Sequence, residues 1–423
     1  MSTGTAYIPA DAVIAPAGPQ QISPGLKRLG LAFAWVTLAT SGIVFTEPAP
    51  HDLLLVGATI LLPLLGLVAF NRGLFLYLLL LAGILAASLV ATTQAGIFDL
   101  PVKHVVVTGY LLLSSVVIAG FVLDRPDANV RLIMSAYVFA ALLAAIPGLL
   151  GGLDVGPRMR ELFASDFGRV HGTFKDSNVL GAFLVPPLLY MLNTVLHKGV
   201  VRGGFYVLAV PIMLLASLLA FSRGAWINLA VALAVYVGLT LYTLPKHSDR
   251  VRLVVYVMLV LLLVVALLAA ALTVPSIADL LWTRASFDQY YDVGREGRFG
   301  GQLKAVGVVL AHPLGIGALE FSRLYHHEDA HQVYLSMFLN GGWVGGVAYL
   351  ALIIITIFLA LRHVMRDRGG DGISAVLAAA FVGMALEGVV VDTDHWRHFF
   401  LIMAMIWGVA LAPTAAPWQG RAP

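Results

Sequence analysis

Apolar runs of about twenty residues recur along almost the whole 423-residue chain, and no other feature constrains its fold as tightly. Each run is long enough to cross ~30 Å of hydrocarbon as a helix. None shows strand-like alternation, and a backbone in lipid must satisfy its own hydrogen bonds, so helices are the spans expected. The runs fall at about 29–46, 52–70, 73–94, 102–123, 130–150, 178–196, 203–221, 225–245, 251–274, 343–363, 373–391 and 398–413. The chain therefore reads as an all-α integral membrane protein with about twelve transmembrane helices. Composition agrees, because 60% of the residues are hydrophobic and 12% charged, against roughly a quarter charged in a soluble domain.

The net charge of +3 gives no reason to expect nucleic acid as a partner, and the absence of cysteine removes disulfides and thiol chemistry. Residues 1–25, rich in Ala, Pro, Gly and Ser, read as a disordered tail before a single polytopic domain, 26–423. Lys27 and Arg28 then mark a retained signal anchor.

Alternate connections are basic: Lys27/Arg28, Arg72, Arg125/Arg131, Lys198/Arg202, Lys246/Arg250/Arg252 and Arg362/Arg366/Arg368. This pattern puts them, and both termini, on the cytoplasmic side. The other side holds three longer polar segments, 151–177, 275–342 and 392–398, of which 275–342 is a long periplasmic loop. Arg158, Arg160, Arg169, Lys175, Arg284, Arg295, Arg298, Arg323 and Arg397 lie there against the usual preference. Either they meet an anionic ligand, or they pair with Asp154, Glu161, Asp166, Asp279, Asp288, Asp292 and Glu296. Within the long loop, 298–312 has helix-like apolar spacing and reads as a surface helix ended by Pro313, Gly315 and Gly317. A short helix is expected at 331–341, with Gly341/Gly342 turning into the next span.

Five constellations carry polar chemistry. Arg169-Val-His-Gly-Thr-Phe-Lys-Asp-Ser-Asn178 offers Arg169, Lys175 and Asn178 at a helix N-terminus, where an anion is favoured; an ordinary cap by Asp176 or Ser177 explains part of it equally. In Phe221-Ser222-Arg223-Gly224 a guanidinium sits between two apolar helices, which requires a partner, a wet cavity or snorkelling. Arg295 and Arg298 can fork onto phosphate oxygens or bridge to Glu296 or Asp292. His326-His327-Glu328-Asp329-Ala330-His331, followed by Gln332 and Tyr334, puts histidines suited to proton transfer at a membrane boundary; His326 reads there as solvated. Finally Asp392-Thr-Asp394-His395-Trp-Arg397-His398 lies between the last two spans. Asp394, His395 and Arg397 are candidates for the same outer cavity, Glu47 or Asp52 can join it, and Trp396 reads as an interfacial anchor.

His327-Glu-Asp-Ala-His331 also matches the H-E-x-x-H pattern of zinc proteases. That chemistry needs both histidines on one helix face and a third ligand; no third-ligand motif follows, although Asp392, Asp394 or His395 could supply one.

The order of these blocks resembles the O-antigen ligase/polymerase superfamily. The resemblance rests on Arg169–Asn178, on Ser222-Arg223-Gly224, on Arg298 to the Pro-Leu-Gly-Ile-Gly317 ending, and on His331-Gln-Val-Tyr334 to Gly346, and covers about 169–346. It implies a metal-independent, inverting glycosyltransferase of the GT-C type, needing no cofactor, with a periplasmic active site. His331 matches the family histidine, Arg223 the arginine after the serine, and Arg298 the loop arginine; Gln332 stands where asparagine is frequent. The donor implied is a polyprenyl (undecaprenyl) diphosphate-linked glycan, and the acceptor a lipid A-core or another glycan. His331 would deprotonate the acceptor while Arg223 and Arg298 hold the diphosphate. Arg295 and His327, just ahead of the Arg298 and His331 blocks, are further substrate-binding candidates. A flippase or transporter would instead put its charges near mid-membrane.

Overall fold

The computed structural model describes residues 22–165, 168–285 and 294–413. Most of the predicted tail, together with Asp166, Asp288 and Asp292, lies outside the described residues. Sixteen α-helices are formed among them: α1 Pro24–Ala39, α2 Pro50–Leu64, α3 Arg72–Thr92, α4 Asp99–Asp124, α5 Pro126–Gly152, α6 Pro157–Phe163, α7 Ser177–Arg202, α8 Gly204–Leu219, α9 Arg223–Thr243, α10 His247–Leu272, α11 Pro275–Ala285, α12 Arg298–Ala311, α13 Glu320–Leu324, α14 Val333–Arg366, α15 Ile373–Glu387 and α16 Arg397–Leu411. There is no strand among the described residues, only the isolated bridge Ala164–Val170.

Twelve of these helices coincide with the twelve apolar runs. Seven are long and apolar enough to cross a membrane: α3, α4, α5, α7, α9, α10 and α14. The apolar helices α2, α8, α15 and α16 have 15 or 16 residues, which span about 23 Å at 1.5 Å per residue. After α2 the chain is tied to α4, where Ala69 N–H bonds to the Gly120 carbonyl at 2.9 Å.

The expected short helix before the tenth run is present and adjoins the span in α14. Gly342 at φ 62°, ψ −168° leaves helical geometry, so residues 333–341 form a short helix that turns at Gly342 into the membrane-spanning part of α14, as expected.

Burial ranks the spans. The central window of α7 is 94% buried, so this helix runs through the middle of the bundle, whereas that of α10 is 6% buried and lies at the periphery. A second core contact ties α3, α14 and α16: Trp407 stacks on Tyr77 at 4.5 Å and donates to Thr356 Oγ1 at 2.9 Å.

The chain crosses back and forth, so its connections fall into two groups. The basic connections gather at one end, where Arg131 and Asn193 reach the 367–372 turn through Asp371. The three long polar segments meet at the other. There Val44 N–H bonds to Thr173 O at 2.8 Å, and Val333 N–H to Gly388 O at 2.9 Å.

Candidate active site

The Arg169–Asn178 block is a brace for the turn that starts α9. Val170 N–H bonds to Leu219 O at 2.9 Å, Arg169 Nε donates to Ala220 O at 3.1 Å, and Arg169 Nη2 to Asn178 Oδ1 at 2.9 Å. Asp176, not Ser177, caps α7 by accepting from Asn178 N–H at 2.7 Å. Lys175 lies 3.5 Å from Glu47. The braced turn puts Phe221 in left-handed backbone at φ 47° and lets Ser222 cap α9 by accepting from Ala225 N–H at 3.2 Å. Arg223 is thereby fixed in the first turn of α9.

The long loop packs as a small unit of its own. Ala305, Val308, Ile316, Phe321, Ala330 and Leu339 form a separate core under α12. His326 is buried in this unit rather than solvated, because Gly301 leaves room for its ring. Glu296 pairs with Lys304 at 2.9 Å and lies 3.6 Å from His326 Nδ1, so it is not reserved for Arg295, which is exposed. The Pro-Leu-Gly-Ile-Gly motif and the Gly342 kink are two halves of one contact. Trp343 N–H bonds to Pro313 O and Ile316 N–H to Leu339 O, each at 2.9 Å, and a Cβ on Gly342 would lie 2.5 Å from Pro313 O.

This contact delivers His331 to the bundle. His331 is held at φ 48°, a left-handed conformation uncommon for a side-chain-bearing residue and concentrated at functional sites. Its Nε2 lies 3.5 Å from Glu328 Oε2 and its Nδ1 3.8 Å from Asp392 Oδ2. Burial and then the charge of Arg298 push its pKa down, against the opposing pull of Glu328 and Asp329. Arg298 and His331 are thus electrostatically in touch. Asp392 accepts from Ser336 Oγ at 2.6 Å; burial and the adjacent Asp394 push its pKa up.

Arg223 reaches the same region through α15. Gly224 packs on the buried Glu387, which accepts from Asn228 Nδ2 at 2.7 Å, and the next residue, Gly388, accepts the Val333 amide two residues after His331. The helix ends carrying Arg223 and His331 are therefore joined through Glu387-Gly388.

Other candidates are committed elsewhere. Gln332 caps α14, accepting from Leu335 N–H at 2.6 Å, and Tyr334 donates to Ala385 O at 2.5 Å. Arg397 donates to both oxygens of Asp52 at 2.6 Å. Asp394 pairs with His104 at 3.2 Å, and His395 Nε2 lies 2.9 Å from Thr108 Oγ1. Burial would raise Asp394, but the His104 hydrogen bond and the two imidazoles hold it well below the carboxylate range; burial takes His395 down to about 4. Trp396 is buried and stacks on His398 at 5.1 Å rather than anchoring at an interface.

The zinc-protease alternative does not fit. His327 to His331 lies in a non-helical turn, with His331 in left-handed backbone, so the two histidines share no helix face. Sequence reading missed His104 and Glu387. For Glu387 there was a signal: it is the one carboxylate inside an otherwise apolar run.

The fold and this site define a polytopic, all-helical membrane protein whose candidate site residues meet at the end opposite its basic connections. Residues 208–350 match the family model described as O-Antigen ligase, which places that stretch, and the resemblance it carries, in the O-antigen ligase superfamily. The match runs from α8 into α14 and includes Arg223, Arg295, Arg298, His327, His331, Gln332 and Tyr334. No curated protein matches the chain.

Proposed function

We propose that the chain transfers a glycan with inversion from a polyprenyl (undecaprenyl) diphosphate carrier to an acceptor sugar hydroxyl, as a ligase onto lipid A-core. The observation that carries this reading is the setting of His331: an imidazole kept neutral by burial and by Arg298, with Asp392 behind one nitrogen. A neutral imidazole accepts a proton near neutral pH.

In this reading the acceptor oxygen attacks the anomeric carbon as its proton passes to His331. The bond from that carbon to the diphosphate oxygen breaks on the opposite face, which inverts the centre. Polyprenyl diphosphate leaves with the electron pair, and Arg223 and Arg298 meet its growing charge. The imidazolium so formed favours ionised Asp392, which stores the charge pair locally. These roles need no metal ion. Lys175, Arg295 and His327, at the same end, extend the surface available to an anionic glycan carrier.

The crowding of basic residues at the opposite end supports a cytoplasmic location for that end, and for both termini, in the bacterial inner membrane. The site then faces the periplasm.

Polymerisation of the same carrier-linked units uses identical chemistry with a different acceptor. A deletion strain separates the two. Loss of long glycan from lipid A-core with carrier-linked polymer accumulating is expected for the ligase; accumulation of single repeat units would make it the polymerase. Unchanged glycan profiles would overturn both.

A further inference from the structure

His104, Asp394 and His395 meet where α4 packs against the turn between α15 and α16, and each offers one ligand atom within 4.8 Å of the other two. On α4, His104 lies one helical turn before Thr108, so both face this turn. His104 and Asp394 are mostly buried, with side-chain exposures of 15% and 13%, and His104 Nε2 stands 3.2 Å from Asp394 Oδ2. That is longer than the ~2.8 Å of a charge-assisted hydrogen bond. It is close to the ~3.4 Å edge of a tetrahedron whose metal–ligand bonds are ~2.0–2.1 Å. The two imidazole rings lie 4.0 Å apart, centre to centre, so a small side-chain adjustment brings His395 onto the same ion.

The surroundings favour a cation there. Arg397, three residues after Asp394, is committed to Asp52, and the buried Asp394 carboxylate is paired with imidazole rather than with a permanent charge. Thr108 Oγ1 donates to His104 O at 3.0 Å, so it accepts from His395 Nε2–H at 2.9 Å. A ligating imidazole characteristically has its other nitrogen held by such a partner. A cavity of about 10 Å3 adjoins the cluster, with Ser88, His104, Thr108, Asn340, Tyr349 and Asp394 in its wall, which is roughly the room one solvent molecule needs. The Tyr349 hydroxyl is buried and has no hydrogen-bond partner among the described residues. The other grouping of this kind, Glu296, His326 and His327, differs in one respect. Both oxygens of Glu296 accept from Lys304 at 2.9 Å, and Lys304 Nζ stands 3.4 Å from His326 Nδ1, so an ammonium already supplies the positive charge.

We propose that His104, Asp394 and His395 bind one divalent cation of the zinc class, with solvent from the adjoining cavity in the fourth position. Two imidazoles and one carboxylate suit such an ion better than magnesium or calcium, which take oxygen ligands. The ion fastens the 388–396 turn to α4. That turn begins at Gly388, which accepts the Val333 amide, and carries Asp392 behind His331. The cation therefore braces the segment on which His331 rests and takes no part in bond-making. The inference holds whatever group is transferred at the site.

The test uses the full chain in detergent, purified through a tag without histidine, stripped with a chelator and reloaded with Zn2+. Bound zinc is counted by elemental analysis after gel filtration, and thermal unfolding is followed with and without the ion. About one zinc per chain and a raised unfolding midpoint are expected, with no rise in Mg2+. His104→Gln keeps an N–H donor for Asp394 but is a poor zinc ligand. It should weaken zinc binding by more than the ~10–100-fold that loss of an outer-shell partner costs, and its midpoint should no longer respond to zinc. His395→Ala should behave alike, whereas His327→Ala should keep the ion. Well under one zinc per wild-type chain, or undiminished zinc in both His104→Gln and His395→Ala, would overturn the proposal and leave a hydrogen-bonded clamp. Zinc lost in His327→Ala and kept in the other two would overturn it as well, since the ion would then belong to the long loop.

Discussion

Arg397 and Asp52, 345 positions apart in the chain, are joined by a two-pronged ion pair with both distances at 2.6 Å. The carboxylate also accepts from Tyr110 Oη at 2.9 Å and from Ala49 N–H at 2.8 Å. Every oxygen of Asp52 is thus used, and the second span is fastened to the last one beside the site. Asp52→Ala strands a part-buried guanidinium and should cost about 3–5 kcal/mol of stability, read as a lower unfolding midpoint in detergent. An unchanged midpoint with lost transfer would instead make Arg397 a substrate contact.

The kink at Gly342 has a backbone conformation that side chains rarely adopt, and Pro313 O stands 2.5 Å from where a Cβ would be. Gly342→Ala is therefore expected to cost at least about 1–3 kcal/mol and to loosen the 294–332 unit from α14. Limited proteolysis should then cut within that unit, and transfer should fall with it. Gly307→Ala, in α12 with no atom within 4 Å of the added carbon, is the control and should be neutral or slightly stabilising. Equal resistance of both variants to protease would disprove the docking role of the kink.

The bundle was legible because apolar length is a strong signal: all twelve runs became helices, and the amphipathic spacing of 298–312 became α12. The site was legible in part. Arg223 and His331 stood out as polar residues at span ends, and the structure joins their helix ends through Glu387-Gly388. What periodicity does not encode is pairing between distant segments. Nothing local distinguishes Arg397, which takes Asp52, from Arg298, which acts on His331. His326 looked solvated because its burial depends on Gly301, a residue from another helix. Likewise the Pro-Leu-Gly-Ile-Gly motif reads as a helix stop, and only the fold shows that its carbonyl and amides fill the Gly342 kink.

Asp392 stands 3.8 Å from His331 Nδ1 and is anchored by Ser336, so in the proposed reaction it is a positioning residue. Asp392→Asn keeps the shape but cannot supply charge to an imidazolium. Transfer should fall in kcat by about 10²-fold, within the range of general-base assistance, while donor KM changes little. Asp392→Glu should recover part of the rate. If the loss appears in KM alone, Asp392 binds substrate rather than supporting the base.

The pH dependence separates the roles of Arg298 and His331. As a base, His331 works only when neutral, so activity rises with pH through its pKa. Burial and Arg298 lower that pKa, which puts the acid limb of the wild-type profile below the ordinary histidine value of about 6.5. Removing the guanidinium in Arg298→Ala relieves one lowering influence, so the acid limb should move up in pH. The same change should cost about 10²–10³ in kcat if Arg298 also meets the leaving diphosphate. Glu328→Gln removes an influence that raises the pKa, so its limb should move down instead. Opposite displacements in the two variants identify His331 as the titrating group. A limb that stays in place in both would assign the titration to another residue.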